Sequence, residues 1–175
     1  MHLLPVLLAI LPALLGAYYV FPKYHQNPSE LWKSFDNLAT NGTFNPALRN
    51  HTINEFVKIY VKLLKTLINT KTPKAYQDHN VYLDNEMLFS ECYAPQYQNY
   101  LQFRKWLEQF VLHHNDAKIK VLKIRGDNET CNMRLRIDVR TMMNMRLTFD
   151  IDISASNENN TGWAILFVDR NLGCT

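Results

Sequence analysis

Residues 131–155 read CNMRLRIDVRTMMNMRLTFDIDISA, and their alternation decides the fold. Cys131, Met133, Leu135, Ile137 and Val139 are apolar, and Asn132, Arg134, Arg136, Asp138 and Arg140 stand between or after them. Beyond a short turn, Met145, Leu147, Phe149, Ile151, Ile153 and Ala155 alternate with Arg146, Thr148, Asp150, Asp152 and Ser154. A period of two gives each strand one apolar and one charged face. A three-residue loop, Met142-Met143-Asn144, predicts Asn144 in the left-handed conformation that asparagine tolerates. That loop sets Arg136 against Asp150 and Arg134 against Asp152, with Arg140 facing Arg146 near the turn. Five charged residues here, Arg134, Arg136, Asp138, Asp150 and Asp152, have the look of a catalytic cluster. Parity puts them on the outer face, as a cross-strand charge ladder.

A strand precedes this hairpin and another follows it. Ile119 and Val121 share one parity and Leu122 and Ile124 the other, so the adjacent Val121-Leu122 pair predicts a β-bulge that bends the sheet. Residues 163–168 are apolar at every position, which calls for a central strand or a covered outer face. The apolar side of this four-strand meander needs helices over it. Thr52 and Glu55 form a T-x-x-E capping box, and Ile53, Phe56, Val57, Tyr60, Val61, Leu64, Leu67 and Ile68 follow at helical spacing until Thr72-Pro73. Lys58, Lys62 and Lys65 on the other side read as a solvated face. Residues 97–114 predict another helix, with Tyr100, Phe103, Leu107, Phe110 and Val111 on one side and Trp106 flanking them. Residues 87–92 predict a strand, and 74–84 a short helix running into a turn. Asn27, Pro28 and Glu30 open a helix that should end near Ala39.

The 175 residues suffice for one domain, with a net charge of only +3. A body of this size buries roughly 68–70% of its unfolded surface, so folding does not depend on a disulfide. So small a charge gives no reason to expect a nucleic-acid partner. No Cys/His spacing for zinc is present, and no metal or cofactor is expected. The His113-His114 pair with Asp116 sits at a helix end, where adjacent side chains diverge by about 100°; it reads as favourable charge at a helix C-terminus rather than a metal site.

The leader is apolar from Leu3 to Leu15, contains Pro5 and Pro12, and has no Lys, Arg, Asp or Glu before Lys23. It is too short for a comfortable span and ends in Leu15-Gly16-Ala17, which predicts a secretory signal peptide over 1–17. A signal anchor is the alternative. Residues 18–50 then form an extension with one helix, and 51–175 the main domain. Asn41, Asn50, Asn128 and Asn159 open N-x-[ST] sequons in predicted loops or element edges, as expected of an exported glycoprotein. The cysteines are Cys92, Cys131 and Cys174. An oxidising compartment then allows one pair and one free thiol.

The element order of helix, short helix, strand, helix and four-strand meander resembles the nuclear transport factor 2-like (NTF2-like) superfamily, an α+β cone. The likeness covers residues 53–172 and rests on the helix from Phe56 to Leu67 and the terminal Gly162-Trp163-Ala164-Ile165 strand. With the leader and sequons, the chain looks like the secreted NTF2-like proteins of nematodes. The resemblance implies a sheet curled around the first long helix, with a cavity at the wide end. Steroid isomerases, dehydratases and polyketide cyclases use that cavity as an active site, and the transport factor uses it in protein recognition. Tyr60, Tyr76, Tyr82, Leu135, Ile137, Phe149 and Trp163 are the expected lining. Among polar groups near it, His79 and Asp84 are the candidates for an acid–base pair. No Ser/His/Asp triad, phosphate loop or nucleotide fingerprint accompanies them.

Strand direction separates Cys131 from Cys174 by most of a strand length, too far for a disulfide. The resemblance places the Cys92 strand beside the last strand, which implies a Cys92–Cys174 bond with Cys131 free. The expected function is non-enzymatic binding of an apolar small molecule or a protein partner in or near the cone cavity, by a secreted glycoprotein with no membrane span. The alternatives are a hydrolyase- or isomerase-like enzyme using the same cavity, and a structural homodimer pairing through the outer face of the sheet.

Overall fold

The computed structural model describes residues 51–92, 97–158 and 162–170. The leader, the helix expected from Asn27, Cys174 and the sequons at Asn41, Asn50 and Asn159 lie outside these residues. The chain divides into units Met1–Thr40 and Asn41–Thr175, and the described residues all belong to the second.

Helix α1 spans Ile53–Thr70 and α2 spans Pro73–Asn80. Strands β1 (Leu83–Glu91) and β2 (Gln98–Asn99) lead into α3 (Tyr100–His113), and β3 (His114–Gly126), β4 (Thr130–Thr141), β5 (Arg146–Ser156) and β6 (Ala164–Arg170) follow. The capping box opens α1: the Thr52 amide donates to Glu55 Oε2 at 3.0 Å, and the Glu55 amide donates to Thr52 Oγ1 at 3.4 Å. Phe56, Val57, Tyr60, Leu64, Leu67 and Ile68 are its buried stripe. Lys71, left-handed at φ 56°, ends the helix. Thr72-Pro73 both stops α1 and starts α2, with Thr72 as N-cap and Pro73 in the first turn. A second capping box, Asn99 with Gln102, opens α3.

The six strands form one sheet in the order β2-β1-β6-β5-β4-β3. The meander β3–β6 is antiparallel, whereas β1 joins β6 in parallel. The strand β6 is therefore internal, as its apolar run requires. The helices cover one face of this curved sheet, an α+β architecture. Two polar anchors fix α1 to the sheet: Trp163 Nε1 donates to His51 O at 2.7 Å, and the Ala117 amide donates to Asn69 Oδ1 at 2.8 Å.

The hairpin register agrees with the sequence reading, with Arg134 opposite Asp152, Arg136 opposite Asp150 and Arg140 opposite Arg146. Asn144 is left-handed at φ 63°. Both Arg–Asp pairs are bidentate, with N–O distances of 2.8–3.0 Å. Asp116 lies 3.6 Å from Arg140 and 3.5 Å from Arg146, which relieves the like-charge pair. These side chains are partly solvated, so the ladder fixes register more than it stabilises. An Arg134→Ala, Asp152→Ala double-mutant cycle should give a coupling of about 0.2–1 kcal/mol in urea titrations. A coupling above ~2 kcal/mol would contradict a solvent-screened pair.

The inward parity holds from Cys131 to Val139 and from Ile151 to Ala155, all buried. It loses its cover toward the hairpin tip. Phe149, expected in the core, is only half-buried, and Leu147 and Met145 are exposed. The inner face of the hairpin runs beyond the reach of the helices there.

Candidate functional site

Two aromatic clusters occupy the space between helices and sheet. In the first, the Phe56 and Trp163 rings stack at 4.8 Å, with Tyr82 5.7 Å from Phe56 and Tyr60 5.3 Å from the His79 ring. In the second, Phe89, Phe103, Trp106 and Phe110 succeed one another at 5.0–5.8 Å, and Phe149 meets Phe110 edge-on at 5.2 Å. Between them remains a cavity of about 20 Å³, bordered by Tyr60, Phe103, Trp106, Leu107 and Ile137. That is room for about one water, not for a small-molecule ligand.

The residues expected to line a ligand cavity thus divide. Tyr60 and Ile137 border the residual space. Tyr76, Tyr82, Leu135 and Trp163 are buried in packing, and Phe149 stands half-buried at its edge. The candidate pair His79 and Asp84 is not brought together. His79 Nε2 lies 3.1 Å from Tyr60 Oη, fully buried, and burial pushes its pKa down to about 4. It is therefore neutral at physiological pH. Asp84 accepts the Glu86 amide at 2.7 Å, at the start of β1. Burial raises the Tyr60 phenol, and burial with the charge of Glu108 raises that of Tyr76. Glu108 is a buried carboxylate on α3 that the sequence reading passed over. Its position, three residues before the buried Val111, was the available signal. Tyr60, Tyr76, His79 and Glu108 are enclosed, whereas Asp84 is only partly buried. The space beside Tyr60 is the small one already described.

The His113-His114-Asp116 cluster is likewise occupied by local contacts. His114 Nδ1 lies 2.7 Å from Phe110 O, with its ring stacked on Phe110 at 4.3 Å, and Asp116 meets the two arginines of the hairpin. Among the described residues no group of His, Cys, Asp and Glu is arranged to hold a metal ion, and no helix is long and apolar enough to cross a membrane. Cys131 is free and buried, its thiol pushed up to about 11 by burial. Asn128 is exposed in the β3–β4 turn, where Asp127 accepts the Glu129 and Thr130 amides.

The outer face of the sheet is the reverse of this packed interior. An open groove of about 270 Å³ crosses it from β3 to β6. Its floor holds the Arg134–Asp152 pair and Ser154 Oγ donating to Asn132 Oδ1 at 2.7 Å. Lys123 and Arg125 form one wall, and Phe167 and Asp169 the other.

The architecture is that of an NTF2-like protein. It superimposes on an NTF2-like protein of unknown function from Exiguobacterium with a TM-score of 0.51 at 15% identity, over 68% of this chain and 98% of that one. A putative isomerase from Rhodopseudomonas palustris matches with a TM-score of 0.53 at 8% identity, over 67% of this chain and 88% of that one. At such identities the likeness shows the fold alone. In sequence, residues 46–174 match the family described as Domain of unknown function (DUF5390), and the chain belongs to that family. It is also similar to Uncharacterized protein F22B7.3 of Caenorhabditis elegans, at 50% identity over 96 residues, 55% of this chain and 97% of that protein.

Proposed function

We propose that this chain is a secreted glycoprotein that acts by binding rather than by turnover, and that recognition takes place on the outside of the cone. The filled interior carries this reading: aromatic side chains leave about 20 Å³ where a cavity ligand would need several hundred. The isomerase-like alternative requires a substrate-sized opening beside His79, whose imidazole is enclosed and hydrogen-bonded to Tyr60. Export rests on the apolar leader and the sequons, and the exposed position of Asn128 supports glycan attachment there. A Cys92–Cys174 bond belongs to the same reading. Cys92 Sγ lies 3.1 Å from Arg170 O, four residues before Cys174.

Native mass spectrometry of the chain expressed in a secretory host tests the proposal. The mature protein should begin near Tyr18 and carry glycans on at least two sequons, with one glycan lost in Asn128→Gln. Non-reducing peptide mapping of the same sample should link Cys92 to Cys174. Retention of Met1 without any glycan would sink the secretory reading. A small molecule released only on unfolding would put the ligand back inside the cone, and turnover abolished by His79→Ala would make the protein an enzyme.

A further inference from the structure

The outer groove exists because two strands change face. On β3 the register slips between Val121 and Lys123: Val121 pairs with inward Leu135, but Lys123 pairs with outward Arg134 and Arg125 with outward Asn132. On β6 it slips between Ile165 and Phe167: Ile165 pairs with inward Ala155, but Phe167 pairs with outward Ser154 and Asp169 with outward Asp152. Without these irregularities, strict alternation would turn Lys123, Arg125, Phe167 and Asp169 toward the core. Each bulge thus takes a pair of residues that simple alternation would bury and makes a groove wall of it.

The two walls differ in chemistry. Lys123 and Arg125 make no ion pair or side-chain hydrogen bond among the described residues, while the floor beneath them is already satisfied by the Arg134–Asp152 and Asn132–Ser154 contacts. Two uncommitted cations therefore face the groove from one side. Phe167 supplies an apolar surface on the other. Its ring meets that of Tyr97 at 5.7 Å, and exposed Leu88 is its register neighbour on β1. Asp169 stands on the Phe167 side and repels negative charge toward β3. The walls are three strand spacings apart, about 14 Å.

We propose that this groove binds a small amphipathic anion, with its carboxylate against Lys123 and Arg125 and its flat apolar body toward Phe167. The volume lies just below the usual ligand-pocket range of roughly 300–1,000 Å³, which suits a ligand of about a dozen non-hydrogen atoms. The proposal rests on the reading that recognition is outside the cone.

The test is titration of the full-length protein with naphthalene-2-carboxylate, followed by backbone amide NMR shifts. Decanoate serves as the aliphatic anion and naphthalene-2-carboxamide as the neutral control. The expected result is saturable binding with a Kd of roughly 0.1–1 mM, shifts confined to β3–β6 around the groove, and weakening with salt. Tighter binding of decanoate than of the aromatic anion would overturn the flat apolar body that the proposal places on Phe167. Lys123→Ala combined with Arg125→Ala should weaken binding about tenfold or more, and Phe167→Ser about fivefold. Lys58→Ala with Lys62→Ala, on the solvated side of α1, should leave it unchanged. The amide spectrum of each variant reports whether the fold is kept.

Equal affinity for the carboxamide overturns the proposal, as does saturating anion with no shift at the groove. Exclusion of the anion by a dimer that covers this face overturns it too. Shifts confined to residues around Tyr60 and Trp106 would defeat both this inference and the reading beneath it, whereas no binding anywhere defeats this inference alone.

Discussion

Replacing Trp163 with alanine should destabilise the protein by about 3–5 kcal/mol, measured as a shift in the urea midpoint at constant m-value. Trp163 is fully buried and stacks on Phe56. Its indole nitrogen donates to His51 O immediately before α1, so the side chain joins β6 to the start of the long helix. Truncation would leave a large void and also a carbonyl without its partner. Trp163→Phe separates the two contributions, because it keeps an aromatic stack but has no donor. It should cost only about 1–2 kcal/mol. A loss below ~1 kcal/mol for the alanine variant would show that the aromatic core is not as densely packed as the geometry states.

Acid should weaken the fold through His79. Its pKa is about 4 in the folded protein against 6.5 as the ordinary value, because burial disfavours the charged ring. The unfolded chain therefore binds the proton more readily. Above pH 6.5 the imidazole is neutral in both states and has no effect of this kind. As pH falls from 6.5 toward 4, protonation draws the equilibrium toward the unfolded state, by up to about 3 kcal/mol. His114, also lowered by burial, acts in the same direction. Comparing wild type with His79→Gln isolates the first group, since glutamine can still meet the Tyr60 hydroxyl and does not titrate. The variant should be less stable at pH 7.5 but should lose about 2–3 kcal/mol less between pH 7 and 4.5. Parallel stability curves for the two proteins would show that His79 is not sealed from solvent in the way its contacts imply.

The parts of the fold that could be read in the sequence were those where one face differs chemically from the other. The strands from Cys131 to Ala155 alternate because only one side touches the core, and their register followed from the Arg–Asp pairing. The bulge at Leu122 was legible because two apolar residues fall side by side in a patterned strand. The corresponding irregularity in β6 was not, since Ala164-Ile165-Leu166-Phe167-Val168 is apolar throughout and any phase fits it. Thr72-Pro73 was read as an end although it is also a beginning, and α2 is so short that its buried Ala75, Tyr76 and His79 make little periodicity. The two-residue β2 is too short for a pattern. In the interior, Tyr60 and His79 were found as candidates, but their mutual hydrogen bond joins α1 to α2 across 19 residues, which no local spacing expresses. The outer groove was beyond reach for a related reason: it needs two register slips, on strands far apart in sequence, at neighbouring levels of one sheet.

The parallel pairing of β1 with β6 also governs the order in which the molecule can assemble. Leu83 meets Ile165 across 82 intervening bonds of the chain's Cα trace, whereas the β4–β5 hairpin closes over a loop of a few residues. A growing chain can therefore form α1 and the meander hairpins early, but β1 must wait for β6 to be made. Until then β1 has only the two-residue β2 beside it, and the β6 side of Phe89 is open. Closing so long a loop carries an entropic cost that local contacts do not, so the seam between β1 and β6 is the slow step that topology builds into folding. During synthesis, the half-finished sheet presents an open strand edge beside an aromatic surface, the period in which the chain most depends on being shielded from its own copies.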